Sequence, residues 1–207
     1  MTSAVVVERS AAASRRAGLV AVGVMVVVMW VSESVDLVLG GDLDSLGIRP
    51  RSTEGLVGVV LAPFLHLGFG HLIGNTVPFL VLGALIALSG LARVVAVTAI
   101  VALVGGIGTW LVAPAQTVHL GASGLVFGFA AYLVARGVFD RRLRYLAVGL
   151  VVALLYGTTL LFGLVPRAGI SWQGHLFGAL GGVVAARLLS RPPSRRRTAL
   201  PPGFPQG

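Results

Sequence analysis

Cysteine and lysine are both absent from this 207-residue chain, and carboxylates are few, with seven Asp and Glu in all. Without cysteine there can be no disulfide, no thiolate nucleophile and no Cys-based metal site. Charge of either sign is scarce: 11% of residues are charged and 56% are hydrophobic, where a soluble domain carries roughly 25% charged residues. The missing charge leaves long apolar runs, and a run of about 18 or more such residues reads as a membrane span. The mean hydropathy of +0.94 agrees. These absences point to an integral membrane protein.

The positive charge present is all arginine, sixteen residues giving a formal net charge of +9. The arginines sit in short clusters between apolar segments, which is the footprint of membrane topology and not of a nucleic-acid-binding face. Six spans are expected, at roughly 17–35, 71–89, 92–113, 122–138, 145–164 and 171–189. Residues 1–16 read as a polar, flexible cytoplasmic leader, 17–189 as the membrane domain, and 190–207 as a disordered Arg- and Pro-rich cytoplasmic tail. Ser14-Arg15-Arg16 before an apolar run resembles an export signal, but with five further spans it reads as a retained anchor.

With both termini inside, the inner segments hold thirteen arginines and the outer loops only Arg49, Arg51 and Arg167. That asymmetry sets a cell-membrane, multi-pass orientation. Trp30, Trp110 and Trp172 then fall at the outer interface, as an aromatic belt does. The stretch from Leu56 to Leu65 is apolar but too short to span and contains Pro63. It is expected as a re-entrant segment in the outer leaflet.

In this orientation the even-numbered spans start outside. His71 and Asn75 open the second, Ser123 the fourth and His175 the sixth, with 52 residues from His71 to Ser123 and 52 more to His175. Each interval is one helical pair that returns the chain to the same membrane face. Four polar side chains thus share one depth near the outer surface, where they are costly unless they meet partners or water. His71 and Asn75, four apart, share a helix face. A serine needs a base to become a nucleophile, and acyl transfer needs hydrogen-bond donors for the oxyanion.

His175 is the candidate base, because glycines allow the fourth and sixth spans to approach. Gly124 and Gly128 lie four apart, as do Gly174, Gly178 and Gly182, and Gly121 precedes the serine in G-A-S-G. Asp140 is placed in an inner loop, and the other acids lie in or before the first outer loop. A Ser-His dyad is therefore expected, without a carboxylate. Gln116, Thr117, His119, Ser171 and Gln173 are candidate polar lining for a water-filled cavity.

Three stretches, G-A-S-G at 121–124, H-L-G-F-G-H-L-I-G-N at 66–75 and G-H-L-F-G-A-L-G-G at 174–182, resemble the rhomboid family of intramembrane serine proteases. The resemblance covers roughly residues 56–189. It implies an all-α polytopic fold of six transmembrane helices with a membrane-embedded first outer loop. It also implies a serine endopeptidase that needs no cofactor or metal and cleaves single-span membrane proteins near the outer face of the lipid bilayer.

Carried across residue by residue, Ser123 is the nucleophile and His175 the base. Asn75, His71 and the Ser123 backbone N–H form the oxyanion hole. Phe127 stacks on the base where many members have Tyr, and His66 matches a family histidine without an assigned role. The chain departs from the common pattern in two further places. Val57-Gly58 stands where many members carry Trp-Arg, and no Glu follows the second span.

Each feature also has a plainer explanation: small-residue packing for G-A-S-G, interhelical hydrogen bonding for His71 and Asn75, a structural role for His175. Two alternative functions follow, an inactive rhomboid-like protein that binds membrane helices, or a metal- or ion-binding membrane protein built on His66, His71, His119 and His175. The absence of Cys and of an H-E-x-x-H pair weighs against the metal. No inverted repeat of broken helices suggests a transporter. Substrate identity and oligomeric state are not encoded in any motif.

Overall fold

A computed structural model describes residues 3–190, and the expected tail beyond Ser190 lies outside them. Seven helices follow in order: α1 (Ser3–Leu39), α2 (Gly58–Leu61), α3 (Gly68–Ala87), α4 (Leu91–Val112), α5 (Ser123–Asp140), α6 (Leu143–Gly163) and α7 (Trp172–Leu189). Among the described residues there is no strand; a lone antiparallel bridge joins Ile48 to His119. The fold is an all-helical, multi-pass membrane bundle. Five helices are long and apolar enough to cross a bilayer: α3 to α6 and most of α1. The expected sixth span, α7, has 18 residues, about 27 Å of helix. Gln173, His175 and Arg187 dilute its hydropathy, and it packs against α4 and α5.

Two expectations are corrected. Residues 3–16, read as a flexible leader, are helical and continuous with the first span. At 37 residues, α1 is about 55 Å long, well beyond a ~30 Å hydrocarbon core, so its polar end bearing Glu8, Arg9, Arg15 and Arg16 projects as helix. Asp140, read as a loop residue, closes the last turn of α5. Its carboxylate pairs with Arg136 one turn earlier at 3.1 Å, which offsets the burial of both groups.

The short apolar stretch does not cross the bundle. It folds into a 3₁₀ turn at Glu54–Leu56, the four-residue α2 and a second 3₁₀ turn at Ala62–Phe64. Val59 packs on Gly106 of α4. Backbone bonds between Ile48 and His119 at 2.8 and 3.0 Å, and from Gly121 N to Ala62 O at 2.8 Å, tie this first loop to the segment leading into α5. Arg51 donates to the carbonyls of Leu111 and Ala113 at 3.1 and 2.8 Å, satisfying orphan acceptors at the end of α4.

The centre of the bundle is a glycine contact among α4, α5 and α7. A Cβ at Gly178 would strike the Gly124 carbonyl, one at Gly182 the Gly128 carbonyl, and one at Gly105 would sit 3.3 Å from Gly178 Cα. Backbones this close exchange dispersion contacts that larger residues would prevent. Because the obstructing atoms are backbone, α5 and α7 must separate if a side chain is added. Gly182→Ala should therefore cost on the order of 1–3 kcal/mol of stability, read as a lower thermal midpoint in detergent. Gly157→Ala, inside α6 with open space around its Cβ position, should not lower the midpoint, since alanine is the better helix former.

Candidate active site

Ser123 is the first residue of α5, and the glycine contact carries it against His175, one turn into α7. Ser123 Oγ lies 2.9 Å from His175 Nε2. The other ring nitrogen, Nδ1, sits 2.7 Å from the carbonyl of Gly163 at the end of α6. A carbonyl can only accept, so Nδ1 carries the proton. In the neutral ring Nε2 is then the bare nitrogen, poised to accept from the serine hydroxyl. A backbone carbonyl occupies the orienting position that a carboxylate holds in a triad.

Phe127, one turn after Ser123, stacks on the imidazole with centroids 4.0 Å apart and planes 8° from parallel. The ring of His175 is thus fixed by one hydrogen bond and one aromatic face. Gly163 is part of this arrangement, since a Cβ there would meet the Phe127 ring and approach His175 Nδ1 to 3.1 Å.

The two polar side chains expected as donors, His71 and Asn75, lie on α3. Asn75 is buried and donates one amide N–H to the His71 carbonyl at 3.0 Å, leaving its second N–H for another acceptor. His71 Nδ1 accepts from Leu67 N at 3.4 Å, which places the ring proton on Nε2. That nitrogen faces Gly121, whose φ of 113° and missing Cβ let the imidazole approach. The N-terminus of α5 adds backbone N–H groups with no intrahelical acceptor.

His71, Asn75, Ser123 and His175 all border one cavity of about 890 Å³, as do Phe127 and Gln173. Thr117, His119 and Ser171 also line it, whereas Gln116 is exposed elsewhere. Polar side chains and this volume give water a place to stand. Of the glycines expected at the helix contact, Gly124, Gly128, Gly178 and Gly182 lie between α5 and α7, and Gly174 lies against the Ser171 side chain.

The Gly163 carbonyl carries no signal in the sequence, because any residue supplies a carbonyl. His66, matched by resemblance without a role, is fully buried and accepts the Ala122 N–H at 3.2 Å through Nε2, bracing the residue before Ser123. Its ring meets that of His71 edge-on at 5.2 Å. His119 bridges Thr117 Oγ1 and Ser171 Oγ at 2.7 and 2.6 Å, and Ser171 caps α7 by accepting from Gly174 N. Among the described residues no three His, Cys, Asp or Glu side chains are grouped to hold a metal ion.

Burial, with a smaller contribution from neighbouring His71, pushes the His66 pKa down to about 4, against about 6.5 in an unfolded chain. Burial lowers that of His119 as well. A depressed histidine favours the native state fully above the unfolded value, and that contribution is lost as pH falls toward the native one. Between pH 6.5 and 4 the protein should therefore lose stability, with roughly 2–3 kcal/mol traceable to His66. Thermal unfolding of the parent and His66→Gln across this range checks it: the parent should fall more steeply.

A family model described as Rhomboid domain matches residues 53–192. Among curated relatives, an uncharacterized Mycobacterium tuberculosis protein, Rv1337, is 48% identical over 181 residues, covering 83% of this chain and 75% of its own. An uncharacterized Mycobacterium leprae protein, ML1171, is 45% identical over 178 residues, covering 82% and 70%. A Bacillus subtilis protein bearing the name "Putative rhomboid protease YdcA" is 32% identical over 133 residues, covering 64% of this chain and 66% of its own.

Proposed function

The chain belongs to the rhomboid family, and from that premise we propose that it is an intramembrane serine endopeptidase working through a Ser123–His175 dyad. The observation that carries this reading is the directed chain of hydrogen bonds from Ser123 Oγ through the His175 ring to the Gly163 carbonyl. Packing alone needs no imidazole with its bare nitrogen aimed at a hydroxyl. The substrates are single-span membrane proteins, and the arginine asymmetry directs the site toward the outer face with both termini in the cytoplasm.

A helical peptide carbonyl is hydrogen-bonded and shielded, so the substrate must unwind locally before attack; small or helix-weakening residues there reduce that cost. His175 Nε2 takes the Ser123 proton as Oγ bonds to the scissile carbonyl carbon. The resulting oxyanion is held by Asn75, His71 and N–H groups at the start of α5. His175 then gives its proton to the departing amine, the C–N bond breaks, and an acyl-serine remains. Water from the cavity, deprotonated by the same imidazole, attacks this ester and frees Ser123. Throughout, the Gly163 carbonyl keeps the ring oriented and favours its charged form.

A serine-directed fluorophosphonate should label the chain: Ser123 Oγ bonds to phosphorus, the P–F bond breaks with release of fluoride, and His175 takes the hydroxyl proton. Ser123→Ala should abolish labelling and His175→Ala should reduce it to background. Asn75→Ala should slow turnover about 10²–10³-fold while covalent labelling persists in part. A parent protein that resists the label under conditions where it folds would favour a helix-binding role without catalysis. Undiminished labelling of Ser123→Ala would place the nucleophile elsewhere.

A further inference from the structure

At the end of α5 away from Ser123, seventeen residues or about 26 Å along the helix, lies a second cavity of about 570 Å³. This is within the usual ligand-site range of ~300–1,000 Å³. Arg15, Arg93, Arg136, Arg142 and Arg144 line it, with Asp140 as the carboxylate among them. Clustered arginines on one side of a membrane protein are ordinary, but these converge from α1, α4, α5, the α5–α6 junction and α6 on one concavity. Gathering five like charges around a hollow is unfavourable unless an anion fills it.

Two of the guanidinium groups are held in place. Arg136 is buried, donates to Asp140 at 3.1 Å and to Ser89 Oγ at 2.7 Å, and lies 3.7 Å from the centre of the Tyr145 ring. Arg93 donates to the Leu189 carbonyl at 2.7 Å. The exposed Arg144 is steadied by the Tyr145 hydroxyl at 2.9 Å. The remaining wall is the projecting part of α1, whose Ser14 accepts from Leu91 N at 3.2 Å across the α3–α4 turn. The part of the chain expected to be a flexible leader is therefore one side of this cavity.

Beside the arginines the same hollow is lined by Leu85, Leu88, Leu133 and Val148, with Leu88 58% exposed. Guanidinium groups adjoining an open apolar wall fit an amphipathic anion better than a free one. We propose that this cavity is a binding site for an anionic phospholipid, its phosphodiester held by the arginines and its acyl chains lying along the leucines. Guanidinium groups recognise phosphate oxygens through directional, charge-assisted bonds, and basic pockets between membrane helices are suited to such headgroups. The site is separate from the proteolytic proposal and stands without it.

The test is native mass spectrometry of the full chain in neutral detergent, titrated with dioctanoyl phosphatidylglycerol. One lipid should bind. Arg15→Gln/Arg144→Gln removes two exposed guanidinium groups and should weaken binding on the order of thirtyfold. Arg9→Gln/Arg16→Gln makes the same charge change on exposed α1 positions outside the cavity and should alter it less than threefold. Dioctanoyl phosphatidylcholine should not displace the glycerol lipid. Equal losses in both double variants, or equal competition by phosphatidylcholine, would sink the site. Inorganic phosphate that binds these arginines while phosphatidylglycerol does not would overturn the lipid assignment. Unchanged melting of the unliganded variants verifies that both are folded.

Discussion

Direct backbone contact between α5 and α7 is the constraint on which the rest of the molecule depends. Gly124 and Gly128 on one helix face Gly178 and Gly182 on the other, with no room for a single added carbon at the closest points. Inside lipid, apolar side chains gain little by associating with each other rather than with hydrocarbon tails, so tight packing supplies the attraction. That packing fixes the register of the two helices. It brings a residue at the start of α5 and one in the first turn of α7 within hydrogen-bond distance. The two glycine rows and the Ser123–His175 pair are one feature seen at two depths.

The chemistry at that contact is arranged with few charges. An aspartate beside His175 would be costly at this depth unless paired. The Gly163 carbonyl gives direction to the imidazole without a formal charge, and Phe127 adds a flat wall. Around them, His66 supports Ala122 and His119 links Thr117 to the Ser171 cap of α7. Neutral histidines thus serve as hydrogen-bonding connectors between the loops and helices that frame the cavity. The Arg136–Asp140 pair and the neighbouring arginines lie at the opposite end of α5, while Arg167 borders the cavity itself.

Much of this was legible in the sequence, for a physical reason. In an apolar chain each polar residue must be accounted for, so His71, Asn75, Ser123 and His175 stood out, and the arginine distribution gave them a common side. The glycine spacing carried the helix contact. What the sequence hid falls into two kinds. Backbone groups have no residue signature, so the Gly163 carbonyl was invisible before the end of α6 was seen beside α7. Polar helix emerging from a membrane has the composition of a flexible leader, so residues 3–16 give no helical signal, and Asp140 beside Arg141 and Arg142 reads as loop although it closes α5 paired with Arg136. Histidine itself was ambiguous, and His66 and His119 became interpretable only through their partners.

The most direct measurement of the central claim is cleavage in a bilayer. The purified chain, reconstituted in liposomes with a single-span membrane protein whose helix contains small or helix-weakening residues near one end, should generate two fragments. The new amino terminus should map to that end, and the Ser123→Ala chain should generate none. Fragments produced equally by the Ser123→Ala chain, or a panel of such substrates left intact by a folded parent protein, would contradict the account.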